Sequence, residues 1–340
     1  MKILVIGGTR FFGVPMVKSL IEQGHEITVL TRGNTPDCFG NSVSRIFADR
    51  GNAEDVKEKL SGKRFDTVID KIAYCSTDIR NTAEVVECDK YIHMSTNAVY
   101  SRFDSNRNVK EEEFDPFAEK VKWCVRSDGS YADVKKQAEY ALFQNYSDKF
   151  KITAVRYPYV AGKNDYTMRL YFYVEHIIKG IPFYVDDTAK KFSFINEDEA
   201  GKFIAFLAEQ DFSGAINGNS YGTISISEIC DYVTEKTGKK AIINQNGDPA
   251  PYNGIIAGGL DNGKAEKLGY RLVKSCVESK EALLKSGKVA KVIDVFENGV
   301  IIDGNHTARA AANLNHLVDV YVHAGKGKTA GLITKVPFRK

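Results

Sequence analysis

Apolar and polar positions fall into a repeating alternation over the first 160 residues. Lys2–Ile6 is a short continuous apolar run, and Val14–Gln23 places Val14, Val17, Leu20 and Ile21 at the spacing of one helix face. Glu26–Leu30 and Thr67–Asp70 are further apolar runs. Others follow at Tyr91–Met94 and Ile152–Arg156, with a long helical pattern over Ala132–Gln144 between them. Strands that are apolar on both faces and separated by helices predict a parallel sheet covered on both sides, a doubly wound α/β arrangement.

After Tyr157 the texture changes. Leu170–Lys179 reads as a helix, Phe192–Phe194 as a short strand and Glu197–Glu209 as another helix; Ser225–Thr237 is amphipathic, with Ser225 or Ser227 as its cap. Further on, Val289–Phe296 and Val300–Ile302 flank Glu297-Asn298-Gly299, a hairpin signal. Asn305–His316 has a helical pattern, and Leu317–His323 alternates like a strand. The expected division is a sheet domain over 1–160, to which parts of 190–225 return, then a smaller α/β lobe over 161–285. A small β-rich appendage over 286–340 completes it.

Composition changes this picture little. A chain of 340 residues with 43% hydrophobic and 27% charged positions is ample for a full core. The net charge of +3 is too mild to argue for a nucleic-acid partner, although residues 286–340 hold 8 Lys/Arg against 4 Asp/Glu. No run approaches the roughly 18 apolar residues of a membrane span, and glycines follow the first strand too soon for a signal peptide. The six cysteines (Cys38, Cys75, Cys88, Cys124, Cys230 and Cys276) are scattered without a C-x-x-C pair, which suggests free thiols in a reducing, cytoplasmic compartment.

The candidate chemistry begins where the first strand turns into the first helix, at Gly7-Gly8-Thr9-Arg10-Phe11-Phe12-Gly13. Glycines there let the backbone approach a pyrophosphate, and the helix N-terminus favours its charge. With a strand before it and a helix after it, the run predicts a Rossmann-type dinucleotide site. Arg32 follows the second strand, where proteins preferring NAD carry an acid, so NADP is favoured over NAD; Arg32 as a solvated loop charge is the alternative. Asp49 is a candidate for the adenine edge.

Tyr131-Ala132-Asp133-Val134-Lys135 opens the long helix, and residues four apart share a face. A nearby ammonium stabilises phenolate and draws a tyrosine pKa down from about 10, which makes Tyr131 a candidate general acid/base. Ser95-Thr96-Asn97-Ala98-Val99-Tyr100 lies at a strand end between the glycine-rich turn and this pair.

These motifs together resemble the extended or atypical short-chain dehydrogenases of the NAD-dependent epimerase/dehydratase family. The family's S-S-x-x-V-Y corresponds to Ser95 through Tyr100, which makes Thr96 the catalytic hydroxyl. Its Y-G-x-x-K-x-x-x-E corresponds to Tyr131, Lys135 and Glu139, with Ala132 replacing glycine. Arg156 through Gly162 and Leu260 through Gly269 match its later motifs, so the resemblance covers roughly residues 1–285. The family's third-glycine spacing would put glycine at position 10, where this chain has Arg10. The G-G-T-R-F-F-G form is similar to a branch containing bacterial epimerase-like proteins and chloroplast stem-loop-binding ribonucleoproteins.

The resemblance implies hydride transfer on a nucleotide sugar by an epimerase, reductase or dehydratase, with a homodimer expected. A non-catalytic NADP-sensing or RNA-binding role is the alternative. Tyr131 would exchange the proton, Lys135 would lower its pKa and hold the nicotinamide ribose, and Thr96 would orient the substrate oxygen. Ala73 joins the cofactor candidates; Asn97, Tyr159 and Arg169 are the substrate candidates. Arg169 has two open readings, a substrate phosphate through its planar fork or a bridge to Asp165. Tyr166, Tyr171, Phe172 and Tyr173 read as core at helical spacing, Asp198 as a helix cap and His93 as buried structure. His306, His316 and His323 lack ligand spacing, so no metal is expected. Gly325–Thr329 lacks the first glycine of a P-loop, since position 322 is Val322.

Overall fold

The computed structural model describes residues 1–101, 103, 107–255 and 258–272, together with four strand segments at 293–296, 301–303, 317–323 and 331–337. These fall into two compact units, Met1–Leu272 and Val273–Lys340.

In the first unit, strands β1 (Lys2–Ile6), β2 (Glu26–Thr31), β3 (Val43–Phe47), β4 (Arg64–Asp70), β5 (Glu87–Thr96) and β6 (Lys151–Tyr157) alternate with four helices. These are α1 (Gly13–Glu22), α2 (Ala53–Leu60), α3 (Ser76–Ala83) and α4 (Tyr131–Tyr146). The rest of the unit contains β7 (Tyr159–Ala161), α5 (Arg169–Lys179), β8 (Phe183–Tyr184), β9 (Lys191–Phe192), β10 (Phe194–Asn196) and α6 (Glu197–Glu209). It continues through β11 (Gly214–Asn217), β12 (Ile224–Ser225), α7 (Ile226–Thr237), β13 (Asp248–Pro249) and α8 (Gly263–Lys267).

Seven strands form one parallel sheet in the order β11-β6-β5-β4-β1-β2-β3. The alternation of side chains along each strand divides the core. Ile3, Val5, Ile69 and Ile92 face α1 and α6 on one side. Leu4, Ile6, Val68 and Tyr91 pack with residues of α2, α3 and α4 on the other. The chain leaves β1 for β2 and β3 on one side and returns to β4 on the other. That reversal opens a crevice at the carboxyl ends of β1 and β4, where sheets of this kind bind ligands.

A smaller core, built from Tyr173, Ile177, Phe183, Phe192, Ile226 and Tyr252, lies outside the sheet. The strand expected over Phe192–Phe194 is split at Ser193, whose hydroxyl donates to the Gly258 carbonyl at 2.8 Å. Ser225 caps α7 in a capping box with Glu228. Asn196, not Asp198, caps α6: its side chain accepts from the Asp198 amide at 2.9 Å, which places Asp198 inside the first turn.

In the second unit β14 (Ile293–Phe296), β15 (Ile301–Asp303), β16 (Leu317–His323) and β17 (Gly331–Pro337) form a sheet in the order β15-β14-β16-β17. β14 runs antiparallel to β15 and parallel to β16. The turn Glu297-Asn298-Gly299, the helix expected over Asn305–His316, Gly325–Thr329 and Cys276 lie outside the described residues. No helix among the described residues is long and apolar enough to cross a membrane.

Candidate active site

Backbone geometry builds the first wall. Gly7 and Gly8 turn the chain at φ +89° and +105°, and Gly13 opens α1 directly against them. A Cβ on Gly13 would lie 2.6 Å from the Gly8 Cα, so only glycine permits this closeness. Phe11 is left-handed at φ 55° although it is not glycine. Its ring is buried and meets Tyr166 edge-on at 6.1 Å. This is a tight, preformed turn at a helix N-terminus, and it fits a dinucleotide pyrophosphate.

Two cations converge beside it. Arg10, where the family pattern has glycine, lays its guanidinium over the Tyr166 ring at 4.3 Å. Lys71, at the end of β4, lies 4.2 Å from the Phe12 centroid. Burial, and then repulsion from Arg10, push the Lys71 pKa down to about 8.

Asp70 fixes the loop that follows β4. Fully buried, it accepts hydrogen bonds from Arg50 Nη1 (2.6 Å), Tyr91 Oη (2.6 Å) and the backbone amides of Ile72 (3.2 Å) and Ala73 (3.0 Å). The Ala73 carbonyl is thereby presented to α4.

Ser130 caps α4 by accepting from the Asp133 amide at 3.2 Å. Tyr131 and Lys135 then project from the first turns towards the end of β5. Lys135 is buried and donates to the carbonyls of Ala73 (2.8 Å) and Met94, and burial lowers its pKa to about 8. Thr96 ends β5, with Oγ1 accepting from the Ala98 amide at 3.2 Å, and its hydroxyl lies near enough to the Tyr131 phenol to act on it. Tyr131 is 51% exposed, and it borders a cavity shared with Thr96 and Lys135. Burial there raises its pKa, opposed by the Thr96 hydroxyl and by the charges of Arg169 and Arg126.

Thr96, Tyr131 and Lys135 line one cavity of about 350 Å³, as do Phe11, Phe12 and Ala73. Asn97, Tyr159 and Arg169 border the same space. Arg169 does not pair with Asp165. Its Nε donates to Thr167 Oγ1 at 3.1 Å, and the Thr167 hydroxyl donates onward to Asp165 at 2.6 Å. Arg32 and Asp49 stand exposed beyond the ends of β2 and β3, outside this cavity; Asp49 Oδ1 accepts from the Gly51 amide at 3.0 Å. His93 is fully buried, with both ring nitrogens unpartnered among the described residues.

The aromatic cluster read as core divides. Tyr173 is buried, whereas Tyr171 is exposed and Tyr166 sits in the loop before α5, against the cavity. The helix begins only at Arg169, so helical spacing does not apply to position 166. Lys71, Tyr74 and Arg126 also border the cavity. Sequence reasoning had not singled them out, although Lys71 follows a strand adjacent to β1 at the ligand-binding edge.

Residues 3–218 match the NAD dependent epimerase/dehydratase family. The chain is 30% identical over 129 residues to the chloroplast stem-loop binding protein of 41 kDa b of Arabidopsis thaliana, covering 34% of each. It is 26% identical over 185 residues to a 3-beta-hydroxysteroid dehydrogenase of Mycolicibacterium neoaurum, covering 49% of this chain and 50% of that one. The chain thus spans between a third and a half of the curated relatives it matches. Among solved structures, the UDP-glucose 4-epimerase of Thermus thermophilus in complex with NAD superposes with a TM-score of 0.62 at 20% identity. That superposition covers 80% of this chain and 94% of the other, which shows a shared fold.

Proposed function

The chain belongs to the NAD dependent epimerase/dehydratase family, and from that premise we propose an NAD(P)-dependent enzyme that acts on a nucleotide-sugar-type carbinol or carbonyl. The observation that carries this reading is the convergence of Thr96, Tyr131 and Lys135 on one cavity beside a glycine cradle. A bound nicotinamide dinucleotide would supply hydride exchange at the substrate carbon.

The protein's own part is positional and protonic. Gly7, Gly8 and Gly13 admit the pyrophosphate backbone-to-ligand, with Lys71 and Arg10 adding charge. The buried Lys135, anchored by two carbonyls, keeps a third N–H for a ribose hydroxyl. Thr96 aligns the substrate oxygen with the phenol. With its pKa raised, Tyr131 holds its proton at neutral pH and is suited to give it to a carbonyl oxygen as that carbon is reduced. In the reverse direction Arg126 and Arg169 favour the phenolate that takes the proton back. Arg32, with no acid beside it at the end of β2, favours NADP over NAD.

The test is turnover and dinucleotide affinity in wild type and Tyr131→Phe. A loss of about 10²–10⁴-fold in turnover with unchanged dinucleotide affinity is expected; unchanged turnover would sink the assignment of Tyr131. A second reading, binding of a structured RNA, is favoured by what the Arabidopsis relative's name says of that protein and by the 8 Lys/Arg against 4 Asp/Glu in residues 286–340. Salt-dependent RNA binding would support it, and no binding at low salt would remove it.

A further inference from the structure

Two guanidinium groups, those of Arg126 and Arg169, border the cavity with Tyr131 and act on its phenol. Arg126 stands at the corner of a turn in which the Val125 amide donates to Asp128 Oδ2 (2.8 Å) and the Asp128 amide to the Val125 carbonyl (3.1 Å). That turn is docked on α3, with the Cys124 amide donating to Ser76 Oγ at 2.8 Å and the Thr77 amide to the Cys124 carbonyl at 3.2 Å. From there Arg126 lies over the Tyr74 ring at 4.0 Å, and Tyr74 meets Tyr131 edge-on at 6.1 Å.

Arg169 comes from the other lobe. It follows Met168, which is held left-handed at φ 56°, and lies over the Tyr159 ring at 5.3 Å. Among the described residues, Met168 and Phe11 are the two non-glycine positions with positive φ, and each stands beside this cavity. Strain of that kind persists where surrounding structure enforces a geometry.

A guanidinium resting on a ring keeps N–H donors available in plane for a ligand, and Arg169 spends only its Nε, on Thr167. Neither arginine makes an ion pair with a described residue, and no carboxylate lines the cavity. Two cations on one cavity with no carboxylate to balance them favour an anion held between them.

We propose that the substrate carries an anionic group, a carboxylate or a phosphate, close to the carbon that reacts, and that Arg126 and Arg169 clamp it between them. This rests on the reading of Tyr131 as the acid/base. It adds that the substrate is acidic at its reacting end, and not only at a remote nucleotide diphosphate.

The experiment is calorimetric titration of the full chain, saturated with whichever dinucleotide it binds, using two matched pairs of probes. UDP-glucuronic acid against UDP-glucose isolates a carboxylate; glucose 6-phosphate against glucose isolates a phosphate. The expected result is a preference of about tenfold or more for the acidic member of one pair. The responding pair identifies the anion. Arg126→Gln and Arg169→Gln should each reduce that preference to about twofold or less, with dinucleotide affinity unchanged as evidence of an intact fold. Equal affinity within both pairs, binding of no probe, or a preference that survives in both variants overturns the proposal. A wild-type protein that binds no dinucleotide would instead defeat the oxidoreductase reading, and the same titrations on the protein alone would still decide the anion clamp.

Discussion

Glu139 and Arg156 form a fully buried ion pair, with Arg156 Nη2 2.7 Å from Glu139 Oε2 and Nε 3.1 Å from Oε1. The Ser95 hydroxyl donates to the same carboxylate. The remaining Arg156 donors reach the Glu111 carbonyl (2.7 Å), the Phe114 carbonyl (3.1 Å) and Tyr100 Oη (3.2 Å). Glu139 lies four residues beyond Lys135 on α4, and Ser95 immediately precedes Thr96. The pair therefore locks the helix that carries Tyr131 and Lys135 to the strand end that carries Thr96.

Glu139→Ala leaves a buried guanidinium without its counter-charge, and removing one partner of such a pair costs about 3–5 kcal/mol. A fall of that size in unfolding free energy is expected from urea denaturation. Glu139→Gln, which keeps an acceptor, should lose less. Equal losses would mean that the carboxylate charge carries the whole effect and the retained shape and acceptor carry none.

Gly13→Ala tests the cradle. The new Cβ would meet the Gly8 Cα at 2.6 Å and its carbonyl carbon and oxygen at 2.8 Å, all backbone atoms that cannot rotate away. A stability loss of about 1–3 kcal/mol is expected from overpacking, together with a clear drop in dinucleotide affinity in a fluorescence titration. Retained affinity at reduced stability would show that the turn serves packing and not the ligand.

The sheet and the helix carrying Tyr131 were legible because their signals are local. Ile3–Ile6 is apolar without interruption, and Ser225, one of the two caps expected, stands just ahead of an amphipathic stretch. α2 and α3 were not legible, since Ala53–Leu60 buries only Val56 and Leu60 and Ser76–Ala83 buries small polar residues as readily as Ile79. The catalytic candidates were found through motif order. Arg126 and Tyr74 were not, because each owes its place to contacts across the fold: the Arg126 turn docks on α3, and Tyr74 follows a loop pinned by buried Asp70. Lys135 was expected to lower the Tyr131 pKa on the strength of helix spacing. Spacing fixes a shared face but not where each polar end turns, and the ammonium also donates to the Ala73 and Met94 carbonyls.

Arg32→Ala separates the two dinucleotides. If Arg32 holds a 2′-phosphate by charge-assisted hydrogen bonds, the variant should bind NADPH about 10–100-fold more weakly and NADH as before. Fluorescence titration with both cofactors reads the ratio directly. Parallel losses for the two would leave Arg32 as an exposed loop charge.

Lys135 also makes stability depend on pH in a definite direction. Burial lowers its pKa from 10.5 to about 8 in the folded protein. Between these two values the unfolded chain holds a proton that the folded chain has released, so the free energy of unfolding gains from this group as pH rises. Below pH 8 the buried ammonium exerts its full destabilising effect. In Lys135→Met that contribution is absent. The stability of wild type relative to the variant should therefore climb by up to about 1.4 kcal/mol per pH unit between pH 8 and 10.5, and stay flat below pH 7. Lys71 and Lys90 have pKa values lowered to about 8 as well, but they are present in both proteins and cancel in the difference. Urea midpoints measured at half-unit intervals would resolve the slope. Curves that run parallel through the window would mean that the Lys135 ammonium keeps its proton when buried, its two carbonyl partners replacing the water it lost.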